Sequence, residues 1–408
     1  MKLISVSDPF MQIDQAATSK GEAMSDDLNG LFVVSLEHAV AAPYLSGRLA
    51  EAGARVVKIE RQEGDFARNY DHLVHGESAY FVWLNRGKES VILDLRKDAD
   101  KAIMEKMLEI ADVFIQNLAP GAITRLGFDP ARLRAKNERL ITVSISGYGE
   151  DGNFASRKAY DLLVQAESGL SSITGNSAGS ARVGVSVCDI ACGMTAHQAV
   201  LQALYARHTT GKGRHIAVSL FHSLTDWMNV PYLQFVYGGK SPDRNGLSHP
   251  TIAPYGAFAC AEGKEVLFSI QNEREWVRFC DQILGDAAIA EDLRFDSNSN
   301  RVANRPALDE LILQAFANVP RDTMADRLEA AGIANGRVNS MNDLAQHPQN
   351  RFVEINTPTG PVRLLSPGAV VDGEIPVFGP VPALDADGER VRKEFGSSDD
   401  WPRAASML

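Results

Sequence analysis

Leu31-Phe32-Val33-Val34-Ser35-Leu36 and, after a gap, Arg55-Val56-Val57-Lys58-Ile59-Glu60 decide how the rest of the chain is read. The first run is almost wholly apolar, as a parallel strand buried on both faces would be. Between the two runs, Pro43 opens a helix with Leu45, Leu49 and Ala52 on one side, and Gly53 stops it. Strand, helix and strand with short connections make one βαβ unit.

The alternation continues outward. A polar loop, 61–75, leads to a third strand at Val91-Ile92-Leu93-Asp94-Leu95. Ile103, Met107 and Ile110 space a helix from Lys97, and Val113-Phe114-Ile115-Gln116-Asn117 is a fourth strand. A short helix carries Ile123 and Leu126 to Gly127, and Leu140-Ile141-Thr142-Val143-Ser144-Ile145 is a fifth strand. This order predicts an α/β fold, a doubly wound parallel sheet with helices on both faces. Ligands on such sheets lie beyond the carboxyl ends of the strands. That singles out Glu37-His38, Arg61, Asn117 and the stretch 146–150.

Farther on, Arg182-Val183-Gly184-Val185-Ser186-Val187-Cys188-Asp189 delivers one carboxylate to the first turn of a helix running to about His208. The unpaired N–H groups and positive dipole end there favour an ionised Asp189 at neutral pH. On spacing alone, Asp189 reads as an N-cap. After the basic turn 211–214, His215 to Leu220 is a strand and Phe221 to Tyr237 is helix-like. A turn-rich segment follows. Strands near 255–258 and 265–268 then precede helices around 276–284 and 322–330, and the tail from about 352 is rich in Pro and Gly.

The chain has 408 residues, 45% hydrophobic and 23% charged, as soluble globular proteins do. Its net charge of −11 argues against general affinity for nucleic acid or anionic membranes. No apolar run is long enough to span a bilayer. Asp8, Pro9 and Asp14 interrupt any signal-peptide core, which points to a cytoplasmic protein with a polar N-terminal lead-in. Four cysteines make no disulfide framework. Cys188 and Cys192, one turn apart with only His197 near, are too few for a metal site and read as buried thiols. There is no G-x-G-x-x-G after the first strand, no P-loop and no G-x-S-x-G elbow. A nicotinamide dehydrogenase, a P-loop NTPase and an α/β-hydrolase are therefore disfavoured.

Several short motifs together resemble the class III coenzyme A transferase family, which also contains formyl-CoA transferases, dicarboxylate CoA transferases and 2-methylacyl-CoA racemases. Leu36-Glu37-His38-Ala39-Val40-Ala41-Ala42-Pro43 with Gly53 to Arg61 is similar to its first βαβ unit. Gly64-Asp65-Phe66-Ala67-Arg68, Asn85-Arg86-Gly87-Lys88-Glu89-Ser90, Asn117-Leu118-Ala119-Pro120-Gly121, Arg125-Leu126-Gly127-Phe128 and Gly211-Lys212-Gly213-Arg214 resemble its loops and turns. Asp189 falls where the family places a nucleophilic aspartate. The resemblance implies transfer of CoA between two carboxylic acids through aspartyl anhydride and aspartyl-CoA thioester intermediates, with acyl-CoA as substrate and no tightly bound cofactor or metal. It implies CoA contacts at His38, Ala39, Arg61, Lys88, Asn117, Leu118 and Arg125. Read with the sequence pattern, it divides the chain into an extension (1–28), a large Rossmann-like domain (29–225), a linker (226–245), a small α/β domain (246–342) and a returning C-terminal segment (343–408). It also implies an interlocked homodimer.

The racemases of this family pair their aspartate with an upstream histidine. Here Tyr160, followed by Asp161, stands at that position. Tyrosine is a poor base at neutral pH, so transfer is favoured over α-proton exchange, with Tyr160 as hydrogen-bond donor to the acyl oxygen. Acyl-CoA racemisation and non-catalytic CoA binding are the alternatives. The formyl-CoA:oxalate branch has glutamine at the position of Val40 and a glycine run where this chain has Asn245-Gly246-Leu247-Ser248-His249-Pro250. Both departures argue against oxalate and for a larger acid. Arg182 and His249 are candidates to neutralise the distal carboxylate of a dicarboxylic acid such as succinate.

Overall fold

The computed structural model describes residues 27–374 and 376–396, so most of the expected N-terminal extension lies outside the described residues. Five strands alternate with helices as the apolar runs require: β1 (Phe32–Leu36), β2 (Arg55–Glu60), β3 (Glu89–Ile92), β4 (Val113–Gln116) and β5 (Ile141–Ser146). A two-residue hairpin, β6 (Gly175–Asn176) and β7 (Gly179–Ser180), comes before β8 (His215–Ser219). The central sheet has six strands in the order β3-β2-β1-β4-β5-β8, every pair parallel. Strand order reverses between β1 and β4, which opens a crevice at their carboxyl ends.

Alternation along the strands separates two cores. Val33, Val56, Val113, Ile115, Ile141 and Val143 face the helices Ala41–Glu51 and Val187–Thr210. Phe32, Val34, Val57, Val91 and Phe114 face the helix Asp98–Ile110 and the last helix, Gly388–Gly396. The last helix stacks Phe395 on Phe32, with ring centroids 5.8 Å apart. Just before this helix, Asp385 and Asp387 accept from the Ile92 and Ser90 N–H groups at 2.8 and 2.9 Å. The exposed side of edge strand β3 is thereby closed.

The smaller unit packs an antiparallel sheet of β9 (Tyr255–Ala259), β10 (Glu265–Ser269) and β11 (Ala334–Arg337) against helices that include Arg305–Phe316 and Arg321–Ala330. Its core is aromatic, with Phe258, Phe268, Trp276, Phe279 and Phe316 buried together. A hairpin of β12 (Phe352–Thr357) and β13 (Gly360–Leu365) covers Phe81 and Val82 of the large sheet's surroundings.

Three sequence expectations shift. The third strand begins two residues earlier and ends at Ile92, because Val57 to Glu60 pair with Glu89 to Ile92 and the chain then turns, with Lys97 N–H donating to the Asp94 carbonyl. The loop 61–75 is followed by a helix, Ala79–Leu84, which was not anticipated. The helix-like stretch from Phe221 to Tyr237 is two helices, Leu220–Trp227 and Asn229–Gly238, so the expected linker from 226 is helical as far as Gly238.

The helix carrying Asp189 crosses the helix Ala41–Glu51 closely. A Cβ added at Gly193 would stand 2.8 Å from the Ala41 carbonyl and 2.8 Å from Tyr44 Cβ. Gly193→Ala should therefore cost about 1–3 kcal/mol through overpacking. Urea denaturation is the check. Gly336→Ala, where nothing lies within 4 Å, should leave the midpoint near the parent's.

Candidate active site

Four charged side chains are sealed beneath the carboxyl ends of β1 and β2. Glu37 Oε2 accepts from the Ser35 and Ser46 hydroxyls at 2.6 Å each. Its Oε1 lies 2.8 Å from Lys88 Nζ and 3.4 Å from Lys58 Nζ. Lys58 also meets Asp65 Oδ2 at 2.8 Å. Burial alone would raise the Glu37 carboxyl, but Lys88 and Lys58 outweigh it and hold the group down at about 2. Burial pushes the Lys88 ammonium down to about 8, even with Glu37 beside it.

This network supports the loop at the crevice. Asp65 Oδ1 accepts from the Ala39 N–H at 3.1 Å and from the Ala67 N–H at 2.9 Å. Ala39 has φ 66°, a left-handed conformation that costs a residue with a Cβ and persists only when its surroundings impose it. Asn117 clamps the preceding residue from β4. Its Oδ1 accepts from His38 N–H at 3.1 Å and its Nδ2 donates to the His38 carbonyl at 2.8 Å. His38, Ala39 and Asn117 thus meet at the reversal point of the sheet. Lys88 does not join them. Its amine is wholly occupied by Glu37, the Pro43 carbonyl and Asn85, so contact with a phosphate is not available to it.

Beyond the ends of β1 to β4 lies a cleft of about 920 Å³. Arg61 and Leu118 line it, as the strand-end argument requires, together with Leu126, Arg96, Lys97 and Arg392. Glu60, Glu63, Asp94, Asp100 and Asp385 share this lining, and Arg96 and Arg392 are paired with Asp94 and Asp385 at 2.8 Å each, which leaves Arg61 and Lys97 as the cations suited to a phosphate and the leucines to a flat base. Arg125 is exposed and stands outside this lining. Arg96 and Lys97 follow β3 and were open to the same argument; Arg392 arrives from the last helix and had no local signal.

Asp189 sits in the first turn of the helix Val187–Thr210. It is not the cap. Asp161 takes that task, with Oδ1 accepting from the Cys188 N–H at 2.8 Å. Among the described residues, the Asp189 carboxylate accepts no hydrogen bond and forms no ion pair. Burial first, and then the Asp161 charge, push its carboxyl up to about 7. The expectation of a firmly ionised Asp189 is corrected: desolvation and a like charge outweigh the helix dipole.

A line of aromatic rings runs from the crevice toward this helix. His38 and Phe66 have centroids 4.9 Å apart, Phe66 and Tyr70 5.7 Å, and Tyr70 and Tyr80 5.5 Å. Tyr80 Oη then lies 3.3 Å from Ser186 Oγ, at the N-terminus of the Asp189 helix. The Tyr70 hydroxyl is raised above its ordinary range by burial first, and then by the charges of Asp65 and Asp189 and the hydroxyls of Tyr160 and Tyr80. Tyr160 is 64% exposed at the start of the helix Asp161–Glu167. Tyr70 and Tyr80 had no place in the sequence reading, and Phe66 and Asp161 entered it only within quoted motifs, with no role assigned; Tyr70 in an otherwise polar loop was the available signal.

The acid-recognition candidates remain apart in the contacts they make. Arg182 folds its guanidinium back onto the Val183 and Gly184 carbonyls. His249 stacks on Tyr255 of the small unit, with centroids 5.2 Å apart. Val40 is buried at the start of its helix and lines neither the large cleft nor the smaller one beside β5.

Lys88→Met removes one partner from a sealed charge network and should cost about 3–5 kcal/mol in chemical denaturation. Arg96→Met, which opens an exposed pair, should barely move the midpoint. Glu37 is held below its ordinary 4.5, so its stabilising contribution is present above that value and lost as pH falls toward 2. Asp189 has the opposite sign. Its raised proton affinity makes ionisation a growing cost between the ordinary 3.8 and about 7. Asp189→Asn should melt above the parent at pH 8, with the gap shrinking progressively between pH 7 and 4.

The sequence pattern of CoA-transferase family III matches residues 28–387. The chain is 35% identical to the acetyl-CoA:oxalate CoA-transferase of Acetobacter aceti over 91% of this chain and 96% of that protein. It is 32% identical to the succinate–glutarate CoA-transferase of Agrobacterium fabrum over 79% of this chain and 82% of that protein. A crystal structure of a CaiB/BaiF family protein from Brucella suis superposes with a TM-score of 0.79 at 32% identity, covering 90% of this chain and 99% of that one. With a crevice at the reversal point of its sheet and a family match across nearly its whole length, the chain belongs to CoA-transferase family III and is an enzyme of that class.

Proposed function

We propose that the protein moves coenzyme A from an acyl-CoA to a carboxylic acid, with Asp189 as the covalent relay. The observation that carries this reading is the state of Asp189. The helix terminus is already capped by Asp161, and Asp189 is left without a bonding partner among the described residues. A carboxylate kept out of water and uncompensated is a stronger nucleophile than a solvated one. Asp189 attacks the thioester carbonyl; the C–S bond breaks and CoA leaves as thiolate, giving a mixed anhydride. The thiolate then attacks the aspartyl carbonyl and releases the donor acid, leaving an aspartyl-CoA thioester. The acceptor carboxylate attacks that thioester, and the returning thiolate takes the new acyl group. Carboxylates and thiolate exchange with no net proton, electron or metal ion.

In this reading CoA lies in the large cleft and passes His38, Ala39 and Asn117, with Arg61, Leu118 and Arg125 on its nucleotide end. Lys88 acts only from beneath. Tyr160 donates to the acyl oxygen. A dicarboxylic donor such as succinyl-CoA fits the name of one relative. Another relative is named for oxalate, so the expectation against oxalate, drawn from Val40 and the missing glycine run, is settled by an acceptor panel that includes it. The helix Asn229–Gly238 supports a homodimer, the assembly that the family resemblance implies. It carries Val230, Tyr232, Leu233, Phe235, Val236 and Tyr237 and buries none of them, a wide apolar face for a lone chain. Sedimentation as a monomer at micromolar concentration would count against that assembly.

With a panel of acyl-CoA donors and acids, Asp189→Asn should lower transfer about 10³-fold or more. The attacking form is ionised, so kcat/KM should fall about tenfold per pH unit below about 7 and level off above it. Parent-like transfer by the variant overturns the relay. Solvent deuterium entering the α-carbon in the absence of acceptor acid would instead favour racemisation.

A further inference from the structure

Asp161 and Gln165 take no part in the chemistry above, yet they hold the segment that carries Asp189. They lie one turn apart on the helix Asp161–Glu167. Gln165 is 0% exposed, and a buried amide is costly unless both its ends are bonded. Its Nε2 donates to Asp161 Oδ2 at 2.7 Å, and its Oε1 accepts from the Val183 N–H at 2.8 Å. Asp161 Oδ1 accepts from the Cys188 N–H at 2.8 Å. Two of these bonds reach the segment 183–188, one at each end, the third ties the two side chains together, and Asp189 is the next residue.

The direction of these bonds is fixed. A backbone N–H stands at each end of the chain of bonds, so each end needs an oxygen. The bond in the middle must then run from an amide to an oxygen. We propose that Gln165 and Asp161 are a positioning pair, which sets where the Asp189 carboxylate stands without either touching substrate. This rests on the reading of Asp189 as nucleophile. The pair has a consequence that a general packing role lacks. Asp161→Asn alone sets two amide groups face to face, and Gln165→Glu alone sets two carboxylates face to face. Together, the two substitutions restore an amide facing an oxygen in the middle and an oxygen at each end.

The test uses the full-length protein with both single variants, the double variant and Asp189→Asn. Transfer is measured with the donor and acceptor that react fastest in the panel above, and backbone exchange of the peptide spanning 183–189 is followed by hydrogen–deuterium mass spectrometry. Each single variant should lose about 10²-fold in kcat, with the KM for acyl-CoA almost unchanged, because the nucleophile is displaced while the cleft is untouched. The double variant should regain at least about a tenth of the parent kcat, and the protection lost from 183–189 should return with it. A double variant no faster and no better protected than the singles overturns the pair, while an inactive Asp189→Asn leaves the nucleophile standing. An active Asp189→Asn, or no transfer by the parent, overturns the nucleophile reading and this role with it.

Discussion

Two ammonium groups and two carboxylates, with side chains out of contact with water, lie under the carboxyl ends of β1 and β2. Taking such charges from water costs several kcal/mol each, and only close pairing and further hydrogen bonds offset this. The loop at the crevice depends on that pairing. Asp65 can hold the left-handed Ala39 because Lys58 holds Asp65, and Lys58 shares Glu37 with Lys88. The reversal of strand order supplies a crevice; the buried ions and the Asn117 clamp give it a rigid floor.

Asp189 presents the opposite arrangement a short way along the aromatic line. There a carboxylate is partly withdrawn from water without a cation beside it, and the charge of a second carboxylate, Asp161, opposes it. The fold compensates charge fully where it needs rigidity and leaves one charge uncompensated where the proposed reaction needs a nucleophile. Strain of this kind at a site is stable only because its surroundings are over-determined. Here the helix crossing at Gly193 and the bonds from Asp161 and Gln165 supply that determination.

The sheet was legible because parallel strands buried on both faces are written as apolar runs with helices between them. Val33-Val34 and Val56-Val57 could hardly be anything else. Arg61, His38 and Asn117 followed from the rule that ligands bind beyond strand ends. The charged residues were less readable. Lys88 looks like a phosphate ligand in a basic turn, but the partner that buries it, Glu37, lies 51 positions away. Asp189 looks like a helix cap, and the residue that displaces it from that task lies 27 positions before the Cys188 N–H that it caps. Local sequence carries propensity and period. It does not carry which distant side chain completes a charge, and that decides whether a lysine binds ligand or foundation, and whether an aspartate caps or reacts.

The most direct measurement is mass spectrometry of the protein after incubation with acyl-CoAs and trapping with hydroxylamine or borohydride. The account predicts a modification confined to the peptide carrying Asp189, absent from Asp189→Asn. An unmodified Asp189 across a broad panel of acyl-CoAs that the enzyme turns over, or a trapped group on another residue, would contradict it.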